Sequence, residues 1–191
     1  EGCNKVLKQL DTRSQTDTIN WRPITDDRGY TPIHLAAENG KDRTLALLLK
    51  SPLSATQQTH SGETALHIAI SRRLYATIRC LLDNASSKLL TQPNQDGFSP
   101  LDWIAKCDIN AMTQLWTLFQ EKLTPHISSN SGALIVACRK DNAIQKIEFL
   151  LQKGVDPLQA KHPKTGQNMI QTMITYNIDN LENLLKLLSH S

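Results

Sequence analysis

The chain has 191 residues, 39% of them hydrophobic and 20% charged, with a formal net charge of +3. That balance suits a folded chain with a buried core, and so small a charge offers no bulk attraction to nucleic acid or to a membrane surface. No apolar run reaches the ~18 residues of a membrane span, and the start lacks the basic-then-apolar pattern of a signal peptide. Cys3, Cys80, Cys107 and Cys138 stand far apart with no Cys-x-x-Cys pair. Their scatter argues against a zinc knuckle or a disulfide framework, and for free thiols in a reducing, cytoplasmic setting.

Val6, Leu7 and Leu10 fall at helical spacing, so residues 3–10 predict a short amphipathic helix. A polar stretch follows, and Trp21 then precedes Arg22-Pro23, where the proline pushes its neighbour toward extended geometry. Residues 1–25 read as an N-terminal cap or the remnant of an earlier repeat. The chain opens on Glu1 rather than Met, as expected of an excised fragment or of a processed product.

Asp26-Asp27-Arg28-Gly29 carries turn chemistry, because glycine tolerates positive φ and aspartate bonds its own backbone. Thr31-Pro32 opens a helix: threonine caps it, and proline fits a first position whose N–H needs no partner. Ile33, Leu35, Ala36 and Ala37 give that helix a packing face, and Asn39-Gly40 ends it. A second helix over Asp42–Lys50 carries the run Leu45–Leu49 and stops at Ser51-Pro52. The order then returns: Gly62 turns, Thr64 caps, and Ala65–Ser71 and Ala76–Leu82 form the two helices. Ala65 stands where proline stood, and Arg73 where Gly40 stood.

A third unit keeps Asp96-Gly97 and Ser99-Pro100-Leu101, puts Asp102 in place of the histidine, and has a bulkier second helix at Ala111–Glu121. In a fourth, Asn130 replaces the turn glycine, the next best residue for that conformation, and helices are predicted at Ala133–Ala137 and Ile144–Leu151. A fifth has Thr165-Gly166, helices at Asn168–Thr175 and Asn180–Leu188, no Thr-Pro and no histidine; its position predicts a C-terminal cap.

The phrase Gly29–Ala37 thus recurs at Gly62–Ala69 and, more loosely, at Gly97–Ala105, in steps of 33 and then 35 residues. It resembles the Thr-Pro-Leu-His-x-Ala signature of the ankyrin repeat, and Leu151–Pro157 resembles that family's Leu-x-x-Gly-Ala-Asp ending. The resemblance implies an all-α repeat solenoid, an ankyrin-type stack of helix-turn-helix units joined by β-hairpin loops. Its repeats would run at about 26–58, 59–91, 94–123, 127–158 and 162–190. Small residues on the first helices and larger ones on the second would curve the stack. A concave face lined by hairpin tips and first helices would be left open.

In the family's pattern, partners touch the residues flanking the turn glycine and the exposed positions late in the first helix. The resemblance therefore offers Asp27, Arg28, Tyr30, Glu38 and Asn39 in the first repeat, then His60, Ser61, Glu63, Ser71 and Arg72 in the second. The third offers Gln95, Asp96, Phe98, Lys106 and Cys107, the fourth Ser128, Ser129, Ser131, Arg139 and Lys140, and the fifth Lys164, Thr165, Gln167 and Tyr176. Tyr30 and Phe98 stand at hairpin positions expected to be wet, either as aromatic binding anchors or as rings folded down against the next hairpin. Arg72, Lys106, Arg139 and Lys140 would line up along the first helices, either as an ordinary solvated face or as a basic strip suited to an acidic or phosphorylated peptide.

His34 and His67 occupy the signature histidine position, where the resemblance implies a structural hydrogen bond between hairpins and not a metal or catalytic role. No His-Glu-x-x-His, Gly-x-Ser-x-Gly or phosphate-loop spacing is present. Asp26 and Asp27 fit a turn and Asp108 a helix cap, while Cys107 and Cys138, on or beside the first helices, read as inert packing thiols. No cofactor is expected. The reading is a monomeric, non-catalytic protein–protein interaction module that binds a protein or peptide, acting as a scaffold, adaptor or inhibitor. The alternative is a substrate-recruiting or targeting domain of a larger enzyme or of a secreted bacterial effector, the latter acting in host cytoplasm.

Overall fold

The computed structural model describes residues 25–50, 55–84, 88–123, 132–138, 143–176 and 186. The expected helix at 3–10, that at 180–188 apart from Lys186, Trp21 and the turn around Asn130 lie outside them. The chain divides into two compact units, Glu1–Gln95 and Asp96–Ser191.

In the first unit, α1 (Pro32–Glu38) and α2 (Asp42–Leu49) make one helix pair, and α3 (Ala65–Ser71) and α4 (Tyr75–Asn84) the next. First helix packs on first helix and second on second, α1 against α3 and α2 against α4. Ala36, Ala37, Ala65 and Ala69 are fully buried and let the first helices approach closely, while Leu45, Leu48, Ile78 and Leu81 fill the second layer. The Thr77 hydroxyl donates to the Asp42 carboxylate at 2.6 Å and ties α4 to α2. A one-turn helix absent from the sequence reading, α5 (Lys88–Thr91), buries Leu89 and Leu90.

The turn from α1 into α2 is closed by backbone bonds from Gly40 and Lys41 to Ala37 and Ala36, with Gly40 at φ 63°. Arg73 and Leu74 make the same pair of bonds to Ile70 and Ala69, which forces Arg73 into the left-handed region at φ 57°. The turn geometry overrides the side chain's preference.

In the second unit the first-helix layer holds α6 (Pro100–Ile104), α8 (Gly132–Ala137) and α10 (Met169–Thr175), with α8 packed on both others. The second helices are α7 (Ile109–Leu123) and α9 (Ala143–Gln152), whose Trp116 and Phe149 rings meet edge to face at 5.7 Å. Asp108 caps α7 by accepting from the Ala111 amide at 2.9 Å. Lys146 lies on the buried side of α9, where its ammonium donates to the Ala105 carbonyl at the end of α6.

The loops expected as β-hairpins are tight turns. Among the described residues the one β-bridge joins Lys161 to Asn168. Hairpin one is closed by Asp26 N–H donating to the Tyr30 carbonyl, hairpin two by Thr59 to Glu63, and the fifth by His162 to Gln167. No helix among the described residues is long and apolar enough to cross a membrane.

Candidate functional site

The exposed side chains of the first unit are set by the hairpin residue that stands before the turn glycine. The Asp26 carboxylate accepts from the Arg28 and Tyr30 amides at 3.0 and 2.8 Å. Partial burial works to raise its pKa, but those amides and the adjacent Arg28 guanidinium prevail and hold it below the usual value. In hairpin two the Thr59 hydroxyl takes the same place, accepting from the Glu63 amide at 3.1 Å. In the fifth hairpin the His162 ring does so, its Nδ1 accepting from the Lys164 and Thr165 amides. The sequence reading overlooked Thr59 and His162; their place three or four residues before a turn glycine was the available signal.

Successive hairpins are locked edge to edge. The His60 amide donates to the Arg28 carbonyl and the Gln95 amide to the Ser61 carbonyl. The side-chain amide of Gln58 bridges to the Pro93 carbonyl, and that of Gln95 to the His60 carbonyl. Below them, His34 is fully buried. Its Nδ1 accepts from the Thr31 amide at 3.1 Å, so the ring proton sits on Nε2, which donates to the Gln57 carbonyl at 3.0 Å. Burial outweighs these bonds and lowers its pKa to about 4. The histidine is therefore neutral and structural, as the resemblance implies, and His67 repeats the bond with the Thr64 amide.

On this scaffold Tyr30 is half-buried, with the Arg28 guanidinium 4.0 Å above its ring. Arg28 pairs with Asp26 at 3.4 Å and approaches Glu38 at 3.7 Å. Glu38 also holds Arg72 at 2.7 Å, across from one repeat to the next. Burial raises the Tyr30 pKa first, and the nearby Glu38 and Glu63 carboxylates add to it. Asp27, Asn39, His60, Ser61, Ser71 and Gln95 are exposed around this cluster, and Glu63 is half-buried. The structure thus brings the candidate residues of the first two repeats onto one surface, but Arg72 enters it already paired.

The second unit departs from expectation. Phe98 is fully buried, its ring edge-on to His162 at 5.2 Å, so it is the folded-down ring and not a wet anchor. The cause is the neighbouring hairpin: the fifth, at 161–168, lies directly on the third, and Lys164 reaches Asp96 at 3.5 Å. Asp96 and Lys106 are exposed, and the Lys106 ammonium sits 3.9 Å from the centre of the Trp103 ring. Arg139, Lys140, Ser128, Ser129 and Ser131 lie outside the described residues. Cys107 and Cys138 are buried, and burial pushes the Cys138 thiol up to about 12, which suits inert packing.

Asp102 keeps the histidine's position with different chemistry. Its Oδ2 accepts from the Ser99 amide and hydroxyl, both at 2.8 Å. Its Oδ1 is buried without a hydrogen bond against Gly132, at the start of α8. Burial raises its pKa; the Ser99 donors oppose this, and the Ala133 amide does so through its field without reaching hydrogen-bond geometry. No three His, Cys, Asp or Glu side chains among the described residues converge as a metal site would require.

Comparison with known proteins follows the same lines. A model of ankyrin repeats in three copies matches residues 2–92. Over 106 residues the chain is 33% identical to alpha-latrotoxin-Lg1a of Latrodectus geometricus, a match covering 55% of this chain and 8% of the toxin. The chain therefore spans less than a tenth of that relative. The fold is similar to the crystal structure of EF0377, an ankyrin repeat protein (TM-score 0.64, 16% identity, 98% of this chain and 91% of that one). It is likewise similar to the ankyrin repeat domain of Bcl-3, a member of the IkappaB protein family (TM-score 0.63, 22% identity, 96% and 75%). Residues 2–92 thus match the ankyrin-repeat family, and the chain has the ankyrin-repeat fold.

Proposed function

We propose that this chain is a non-catalytic recognition module whose partner, a protein or an extended peptide, seats on the hairpin tips and first helices around Tyr30. Ankyrin repeats are protein–protein interaction modules, and the family's model lies over this surface. The observation that carries the reading is the Arg28–Tyr30 stack, held on a hairpin that Asp26 fixes from below. Tyrosine and arginine dominate binding hot spots, and a prefixed loop loses little entropy when a partner arrives.

The expectation of an acidic partner is narrowed by the ion pairs. An acidic peptide at this surface would have to draw Arg72 from Glu38, so the first unit favours a partner offering mixed polar contacts. The module binds as a monomer in this reading. A second reading, a targeting or recruiting part of a larger protein, draws support from the small share of the related toxin that the chain covers.

Affinity capture with the full chain, set beside Tyr30→Ala and Arg28→Ala, tests the assignment. Each variant should lose about tenfold or more in partner recovery while keeping the parent's thermal midpoint. Undiminished recovery by both would sink it.

A further inference from the structure

We infer that the outer face of α10 is an inter-repeat surface, built to seat the first helix of a further ankyrin-type repeat joined to it in the same polypeptide. Aligned by helix start, Ala37, Ile70, Ala105, Ala137 and Ile174 occupy the same place on successive first helices. The first four are at most 1% exposed, whereas Ile174 is 64% exposed. One turn earlier, Ile33, Leu66, Leu101 and Ala133 are buried to 2% or less, and their counterpart Ile170 is only half-buried.

Positions four apart share a helix face, so Ile170 and Ile174 form one apolar strip. It continues into a cavity of about 530 Å³ lined by Leu151, Val155, Leu158 and Met169 beside Ile170. Leu158, on its rim, is 86% exposed. A repeat that ends its array carries polar residues on such a face, because that side meets water. This one carries isoleucine, so the expected C-terminal cap is absent from α10.

The occupant follows from what covers the equivalent faces. In the first unit α1 lies against α3, and in the second α8 lies against both α6 and α10. In each case the cover is the first helix of another repeat. Gln171 and Thr175 flank the strip without charge, and the one carboxylate lining the cavity, Asp156, accepts from the Leu158 amide at 2.8 Å. The inference goes beyond the partner surface around Tyr30 and does not depend on it.

The test appends a copy of residues 55–91, with Ile70→Ser in the copy's own outer face, after Ser191 of the full chain. Urea unfolding is followed by circular dichroism with and without Ile174→Glu. The fusion should unfold in one transition at a higher midpoint, and Ile174→Glu should lower its folding equilibrium about tenfold more than it does in the parent. A copy that unfolds separately, or an Ile174→Glu effect of equal size in both proteins, overturns the inference. So does a concentration-dependent dimer of the parent abolished by Ile174→Glu, which would make a second copy the occupant.

Discussion

Pro163 covers Gly97 so closely that a Cβ added to the glycine would lie 2.6 Å from the proline's own Cβ. The same crowding holds Gly29 under His60 and Gly62 under the backbone of Asn94 and Gln95. In the first unit these are consecutive hairpins. In the second the contact runs from the third hairpin to the fifth.

This contact gives two glycines of like conformation unlike costs. Gly97→Ala meets both a φ of +87° and the proline, and should lose about 2–4 kcal/mol of stability. Gly166→Ala, at φ +69° in open space, should lose only about 1 kcal/mol. Chemical denaturation of the two variants compares them directly; equal losses would mean that the packing of hairpin five on hairpin three carries no energy.

Phe98 takes one of the two places that the sequence left open to it, folded against a neighbouring hairpin. As an exposed anchor its truncation would have spared stability and weakened partner binding. Fully buried against His162, Phe98→Ala should instead cost about 3–5 kcal/mol. A thermal midpoint within a degree or two of the parent's would restore the ring to the surface.

His34 sets an acid limit on the first unit. Its folded pKa of about 4 lies below the ordinary 6.5, because burial disfavours the charged ring. Stability from the neutral imidazole is complete above the unfolded value and is lost as pH falls through the folded one, a window from about 6.5 down to 4. His34→Ala should cost about 1–3 kcal/mol at pH 7 by stranding the Gln57 carbonyl and Thr31 amide. The penalty should shrink across that window in pH-dependent melts. A penalty constant from pH 7 to pH 4 would contradict the assigned protonation state.

Asp102 runs the other way. Its carboxyl is raised above the ordinary 3.8 by burial, so it favours the folded state only while protonated. That contribution is complete below the unfolded value and is lost as pH rises through the folded one, where ionisation leaves a buried charge that opposes folding. Asp102→Asn keeps an acceptor for the Ser99 amide and hydroxyl and removes the charge. Relative to the parent it should gain on the order of 1 kcal/mol as pH rises and the carboxyl ionises, and the gain should fade in acid. A variant that loses ground to the parent as pH rises would show that the charge itself is needed.

The sequence alone determined the unit of construction. Gly29 and Gly62, the caps Thr31, Thr64 and Ser99, and the small residues behind them act within a few residues of themselves, so turn, cap and helix were legible without a fold. The structural roles of His34 and His67 were implied by the family resemblance as a bond between hairpins; the bond from each ring to its own capping threonine was not foreseen. Tertiary structure decided what each surface is worth. Whether Phe98 is wet, whether Arg72 is free to meet a partner, and whether Ile174 is covered depend on which neighbour arrives across 34 to 66 residues of chain. Local spacing carries no record of that choice, because burial and ion pairing are properties of two segments together.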